Sequence, residues 1–291
     1  MNNLADIIKI KLSKLKKYQN NHFFSIRDCF VKDLDGNYHN FLKKGLIKNQ
    51  LDEGRKTLDS VEECIQYWYS YCASFVPIPW EILAKTYSSL HMYKQPLEIY
   101  DYASGQGQAT IKLLDQFFYL KNKSLIRSIN LIEPSKLALN ISKYILKYHS
   151  PDIKQEKIYL VNKDINMLDH NDLRDNHETY KVHLFSYILD MGIINPKKLI
   201  EKILDIKGKH FIWAVSQNSN IEIMRQKNIN PKTNKLYFEE FYEELDKQII
   251  QNANVSKKSD IYQIDLLNTT IMNSSSQEKP ILIFGRYIEV K

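Results

Sequence analysis

From residue 96 onward the chain predicts an α/β fold: a doubly wound parallel sheet closed by an antiparallel pair. Three observations predict it. Short β-rich runs alternate with stretches of helical period at the spacing of βαβ units. A turn bearing two of the chain's eight glycines, within "YDYASGQGQAT" (100–110), closes the first of those runs. The last two strand-like runs, "SDIYQIDLL" (259–267) and "PILIFGRYIEV" (280–290), have no helix between them, so they pair antiparallel.

The elements follow in order. "LEIYDY" (97–102) is the first strand, and "QATIKLLDQFFYL" carries a helical period through Ala109, Leu113, Phe117 and Leu120. "SINLIE" (128–133) is the second strand, and the helix after it (135–149) is opened by Ser135. "KIYLVNKD" (157–164) and "YKVHLFSYI" (180–188) are the third and fourth strands. Pro196 suits the first turn of the helix over 196–206. "KHFIWAVS" (209–216) is the fifth strand, and "KLYFEEFYEELDKQII" (235–250) is a further helix before the closing pair. The total is seven strands.

Residues 1–92 have a different character and are expected to form a helical, basic region ahead of a domain spanning 93–291. Leu4, Ile7, Ile8, Leu12 and Leu15 give residues 3–19 one apolar helical face among lysines. Residues 60–91 are dense in aromatics, including Tyr67, Trp68, Tyr71 and Trp80. Ser60 and Glu63 have the spacing of a capping box. Pro77 and Pro79 break this segment, and a second helix is expected from about 80 to 91. Two readings stand for the pair: a lid over a pocket, or helices packed on the sheet.

The net charge of +7 is uneven, since residues 1–60 hold 12 Lys and Arg against 7 Asp and Glu. Such a region can seek phosphate backbones. Lys and Asn also replace Arg and Gly throughout, as AT-rich coding produces. Cys29, Cys64 and Cys72 are odd in number and unpatterned, which argues against disulfides and a zinc site and for a reducing compartment. With no secretory signal and no apolar run of membrane length, a cytoplasmic protein is expected.

In a doubly wound sheet, ligands bind at the carboxyl ends of the strands. The glycine turn falls there. Gly105 and Gly107 let backbone and ligand approach closely, and Gln108 to Thr110 open the next helix. Glu133 ends the second strand 26 to 28 residues later, where a carboxylate accepts from a ribose diol and repels a 2′-phosphate. Asp164 ends the third strand and can accept from an exocyclic amine, with Ile165 against a purine face. These rim positions fit a nucleoside-containing cofactor. A dinucleotide fingerprint wants a third glycine where this chain has Thr110.

"YDYASGQGQAT" resembles motif I of the class I S-adenosylmethionine-dependent methyltransferases: Asp101, Gly105 and Gly107 match, and Ala103 stands where that family usually has its first glycine. "LIEPSKLAL" resembles motif II, "VNKDIN" the adenine-binding segment, and "HLFSYILDM" (183–191) motif IV. The resemblance covers about residues 96–290 and implies a Rossmann-like seven-stranded sheet with S-adenosyl-L-methionine as cofactor. The cofactor residues it implies are Asp101, Ala103, Ser104, Gly105, Gly107, Glu133, Pro134, Asp164, Ile165 and Ser186. More loosely, the aromatic helices with "IEPS" and "SYILD" resemble a methyltransferase-like branch associated with ribosomal small-subunit RNA. The extra metal-cluster cysteines of that branch are missing here.

Methyl transfer needs an in-line acceptor and, for some acceptors, a base. "FSYILD" is neither the Asp/Asn-Pro-Pro-aromatic motif of amino-methylating DNA enzymes nor a Pro-Cys loop. Tyr187 can stack on a planar acceptor, and Asp190 can take a proton or orient an amine, so these two are the catalytic candidates. His183, inside the strand, reads as a core histidine. Ser216, Gln217 and Asn218 add polar groups at the fifth strand's end. The acceptor is RNA, protein or a small molecule, with RNA favoured slightly. The competing reading is a catalytically silent binding or assembly module on the same fold.

Overall fold

The computed structural model describes residues 51–71, 78–89, 95–119, 126–173, 178–217, 228–270 and 278–291. The basic helix expected over 3–19 and the polar Asn218 lie outside them.

Helix α1 (Val61–Tyr71) starts as its sequence demands. Ser60 Oγ accepts from the Glu63 amide at 3.1 Å, and Glu63 Oε2 accepts from the Ser60 and Asp59 amides at 3.1 and 2.8 Å. This is the capping box, with one extra donor. Helix α2 (Ile78–Ser89) begins two residues earlier than expected. Pro79 belongs to its first turn, where a missing N–H costs nothing.

Seven strands form one sheet: β1 (Leu97–Tyr102), β2 (Ile126–Ile132), β3 (Ile158–Val161), β4 (Tyr180–Ser186), β5 (Gly208–Gln217), β8 (Val255–Thr270) and β9 (Glu278–Val290). A separate two-stranded ribbon is made by β6 (Ile229–Asn230) and β7 (Lys235–Leu236). The sheet order is β3-β2-β1-β4-β5-β9-β8. β1 to β5 are parallel, and β9 runs antiparallel to both β5 and β8. The chain therefore reverses its winding at β1 and β4, which are direct neighbours. This is the seven-stranded sheet with a reversed final hairpin that the sequence predicts.

The helices divide between the two faces. α3 (Gln108–Tyr119) and α4 (Lys136–His149) cover one face; α5 (Pro196–Leu204) and α6 (Tyr237–Gln251) cover the other. The first face buries Ile99, Leu113 and Ile141 together with Trp68 and Trp80 of α1 and α2, so the aromatic helices share the sheet's core. The second buries Tyr102, Phe185, Leu199, Phe241 and Leu245. α4 is capped by Ser135, whose Oγ accepts from the Ala138 amide at 3.0 Å. α5 is capped by Asn195, with Pro196 in its first turn.

Candidate functional site

Four non-glycine residues among those described have positive φ, and two of them end neighbouring strands. Ala103 follows β1 at φ +51°, and Tyr187 follows β4 at φ +57°. A left-handed backbone at a residue with a Cβ stores strain of about 1 kcal/mol or more, and such strain gathers at functional sites. Tyr187 therefore lies beyond the strand rather than inside it, where the sequence had put it. Its amide donates to the Val215 carbonyl of β5 at 2.7 Å, which holds the start of this loop to the neighbouring strand. These two turns flank the point where the sheet reverses its winding, the expected position of a ligand crevice.

The glycine loop is fixed from several sides. The Ser104 amide donates to the Ile132 carbonyl at 2.9 Å, joining the ends of β1 and β2. Asp101 Oδ2 accepts from the Thr110 amide and hydroxyl at 3.2 and 2.7 Å. Asp101 thus anchors the first turn of α3 to the strand. Burial pushes its carboxyl up to about 7, against the two Thr110 hydrogen bonds, and Glu133 adds to the rise. The two glycines do different work. Gly107, at φ +76°, would bring a Cβ within 3.0 Å of Ser142 Cβ on α4. Gly105, at φ +53°, has nothing nearer than 3.9 Å, and the atoms at that distance are the Gln108 amide oxygen and the Tyr67 ring. Helix packing explains the first glycine, and open space above the loop is left by the second.

Glu133 lies immediately after β2 and is nearly buried, at 8% exposure. Its carboxylate accepts from the Gly105 amide (Oε2, 3.0 Å) and the Ser135 amide (Oε1, 3.0 Å). Burial raises its pKa, those two amides oppose the rise, and Asp164 adds to it. The strand ends are therefore electronegative.

Asp164 is exposed, and its side chain accepts from the Asn166 amide at 2.8 Å, capping a short 3-10 turn. Ile165 is buried in the core of the α5/α6 face. Pro134 is exposed at the rim, and its carbonyl accepts from Asn162 Nδ2. Asp190 is half-buried in the 3-10 turn after β4, close enough to raise the Tyr187 hydroxyl further once burial has raised it. Ser216 is buried at the end of β5. His183 is a fully buried core histidine. Its Nδ1 accepts from the Tyr102 hydroxyl at 2.9 Å, its Nε2 donates to His210 Nδ1 at 3.0 Å, and His210 Nε2 donates to the Ile206 carbonyl at 2.8 Å. Burial holds both imidazoles neutral, His210 at about 3.

Ser104 Oγ, Gln106 Oε1, Gln108 Nε2 and Ser186 Oγ are buried with no hydrogen-bond partner. Ser104 and Ser186 are among the sequence candidates; Gln106 and Gln108 are residues that sequence reasoning missed. Buried polar atoms are nearly always satisfied, so these four, gathered on two adjacent strand ends, leave unmet hydrogen bonds there. The signal was the polarity of "SGQGQ" itself: two glutamines in a loop that only needed to be small.

No protein-family model matches the chain, and no curated protein does. Solved structures do resemble it. The plantazolicin methyltransferase BpumL in complex with SAH is 14% identical over 98% of this chain and 99% of that one, with a TM-score of 0.46. An O-methyltransferase from Bacillus cereus, also in complex with SAH, is 11% identical over 91% and 96% at 0.41. An rRNA methylase from Streptococcus thermophilus is 16% identical over 73% and 94% at 0.38. With these TM-scores all below 0.5, the sheet order and the strand-end geometry bear on function and these likenesses do not.

Proposed function

We propose that the chain transfers a methyl group from S-adenosyl-L-methionine to an acceptor held beyond the ends of β1 and β4. The observation that carries this is the buried Glu133 carboxylate, hydrogen-bonded to the Gly105 amide of the neighbouring strand's loop. One carboxylate so held has lone pairs left for a ribose diol, and burial without a cation makes further donors welcome. The cofactor carries cationic groups, which suit an electronegative crevice; a dinucleotide's phosphates do not. The orphaned atoms fit as well. Ser104, Gln106 and Ser186 offer acceptors for an ammonium.

When bound, the cofactor supplies a methyl on a positively charged sulfur, and the displacement leaves a neutral thioether. The chain's part is positioning. Asp101 holds the start of α3 to β1, Ala103 and Gly105 shape the loop, and Asp164 frames the adenine side, with Ile165 beneath it packed into the core rather than free to lie on the purine face. Tyr187 and Asp190 face the acceptor side. Tyr187, its hydroxyl held protonated, stacks rather than accepting a proton, and Asp190 is the group that orients or deprotonates the acceptor. The acceptor is RNA by preference, gathered by the basic N-terminal region. A silent binding module is the second reading, favoured by one observation: the buried His183 and His210 are neutral and committed to the core chain, so neither serves as a base, and the third buried histidine among the described residues, His149, is hydrogen-bonded to Asp115 and Ser150 at the end of α4.

Calorimetric titration with S-adenosylmethionine tests the first reading. Binding at one site per chain is expected, and Glu133→Gln weakens it at least about tenfold. Glu133→Ala is the poorer variant, because it strands the Gly105 and Ser135 amides and costs stability as well. Absence of binding by the wild-type protein would sink the proposal. Labelled methyl appearing in RNA supports the preferred acceptor, whereas tight binding with no label in RNA, protein or metabolite fractions favours the silent module.

A further inference from the structure

Two hydrogen bonds tie the N-terminal region to the loops of the crevice. Gln106 Nε2 donates to the Cys64 carbonyl of α1 at 2.9 Å, and Ser135 Oγ donates to the Leu58 carbonyl at 2.5 Å. Both donors are buried, one in the loop after β1 beside Gly105 and one in the loop after β2 close to Glu133. α1 is thereby held with one aromatic side chain over Gly105. From the point where a Gly105 Cβ would stand, Tyr67 Cε1 is 3.9 Å away, its hydroxyl oxygen 4.0 Å, and the Gln108 amide oxygen 3.9 Å. Tyr67 is half-buried and packs against Tyr71 with the rings tilted 46° and their centroids 4.8 Å apart. Gln108 is 2% exposed, and its amide nitrogen has no partner.

The space over Gly105 is therefore bounded by a phenol hydroxyl, which can donate, and by the Gln108 amide oxygen, which accepts, beside the first turn of α3. A donor and an acceptor side by side at a helix N-terminus suit a zwitterion, and the proposed cofactor carries one at its amino-acid end. Resting on that cofactor reading, we propose that Tyr67 and Gln108 grip this end, the phenol on its carboxylate and the amide oxygen on its ammonium, so that α1 forms a wall of the cofactor site. The aromatic segment then has two faces with two tasks: Trp68 and Trp80 fill the core, and Tyr67 faces the ligand. Burial raises the Tyr67 hydroxyl pKa, and Glu133 adds to the rise, so it stays a donor at neutral pH.

The test compares two neutral thioethers that differ only in the amino-acid end, S-adenosylhomocysteine and 5′-methylthioadenosine, binding to the full chain. Tyr67→Phe keeps the ring packing against Tyr71, and Gln108→Leu removes an unpaired buried amide, so neither variant is expected to lower the thermal midpoint. Each is expected to weaken S-adenosylhomocysteine about tenfold and to leave 5′-methylthioadenosine within about twofold. Equal loss for both ligands, or loss for neither, overturns the grip on the amino-acid end while leaving the cofactor reading intact. A wild-type protein that binds neither ligand overturns the cofactor reading itself.

Discussion

Ala103 occupies a conformation that a glycine adopts freely. Ala103→Gly should therefore raise stability by up to about 1 kcal/mol in chemical denaturation, whereas Ala103→Val should lower it by more than that. Asp101 makes a prediction about pH. Its carboxyl is held near 7 in the folded chain against 3.8 when free. A group that binds its proton more tightly when folded stabilises below its unfolded pKa and loses that contribution as pH rises through the folded value. Relative to Asp101→Asn, which keeps an acceptor for Thr110, the wild type should lose roughly 1 kcal/mol per pH unit between about pH 4 and 7. Equilibrium unfolding of both proteins across that range checks it. At this scale the sequence revealed residue types better than conformations. Gly105 and Glu133 were legible because their spacing follows strand ends, and Asp101 through the resemblance of its motif. The strain at Ala103 and Tyr187 was not, because an alanine or a tyrosine carries no mark of a positive φ.

Helix packing separates the two loop glycines. Gly107→Ala forces a Cβ against Ser142 and adds backbone strain, so a loss of about 2 kcal/mol is expected, partly recovered by Ser142→Gly. Gly105→Ala meets no such wall. Its stability cost is the φ strain alone, about 1 kcal/mol, while the added methyl enters the ligand space and should cost more in cofactor affinity. Thermal melts read beside binding curves distinguish the two. From sequence, both glycines looked like the floor of one pocket; only the position of α4 divides their tasks. The capping box at Ser60 and Glu63 was legible for the opposite reason, since its partners are three residues apart and need no tertiary information. The strand ends at β3 and β4 were overrun by the sequence pattern. β3 stops at Val161 and β4 at Ser186, because the following residues turn into the crevice, and hydrophobicity does not record a turn.

The whole molecule brings four distant stretches to one rim: the loops after β1, β2 and β4, and helix α1. The sheet order was readable because alternating periods dictate parallel βαβ units and the missing last helix dictates a reversed pair. The seat of α1 over Gly105 was not readable, because it depends on side-chain-to-backbone bonds 42 and 77 residues apart in sequence. Among the described residues no helix is long and apolar enough to cross a membrane, and no group of three or more His, Cys, Asp or Glu could hold a metal ion. The central claim is that the ends of β1 and β4 form a cofactor crevice. A crystal structure of the protein soaked with S-adenosylhomocysteine tests it most directly. The account predicts ligand density over Gly105, its ribose hydroxyls on Glu133 and its amino-acid end between Gln108 and Tyr67. Ligand density elsewhere on the chain, with the space over Gly105 filled by protein side chains, would contradict it.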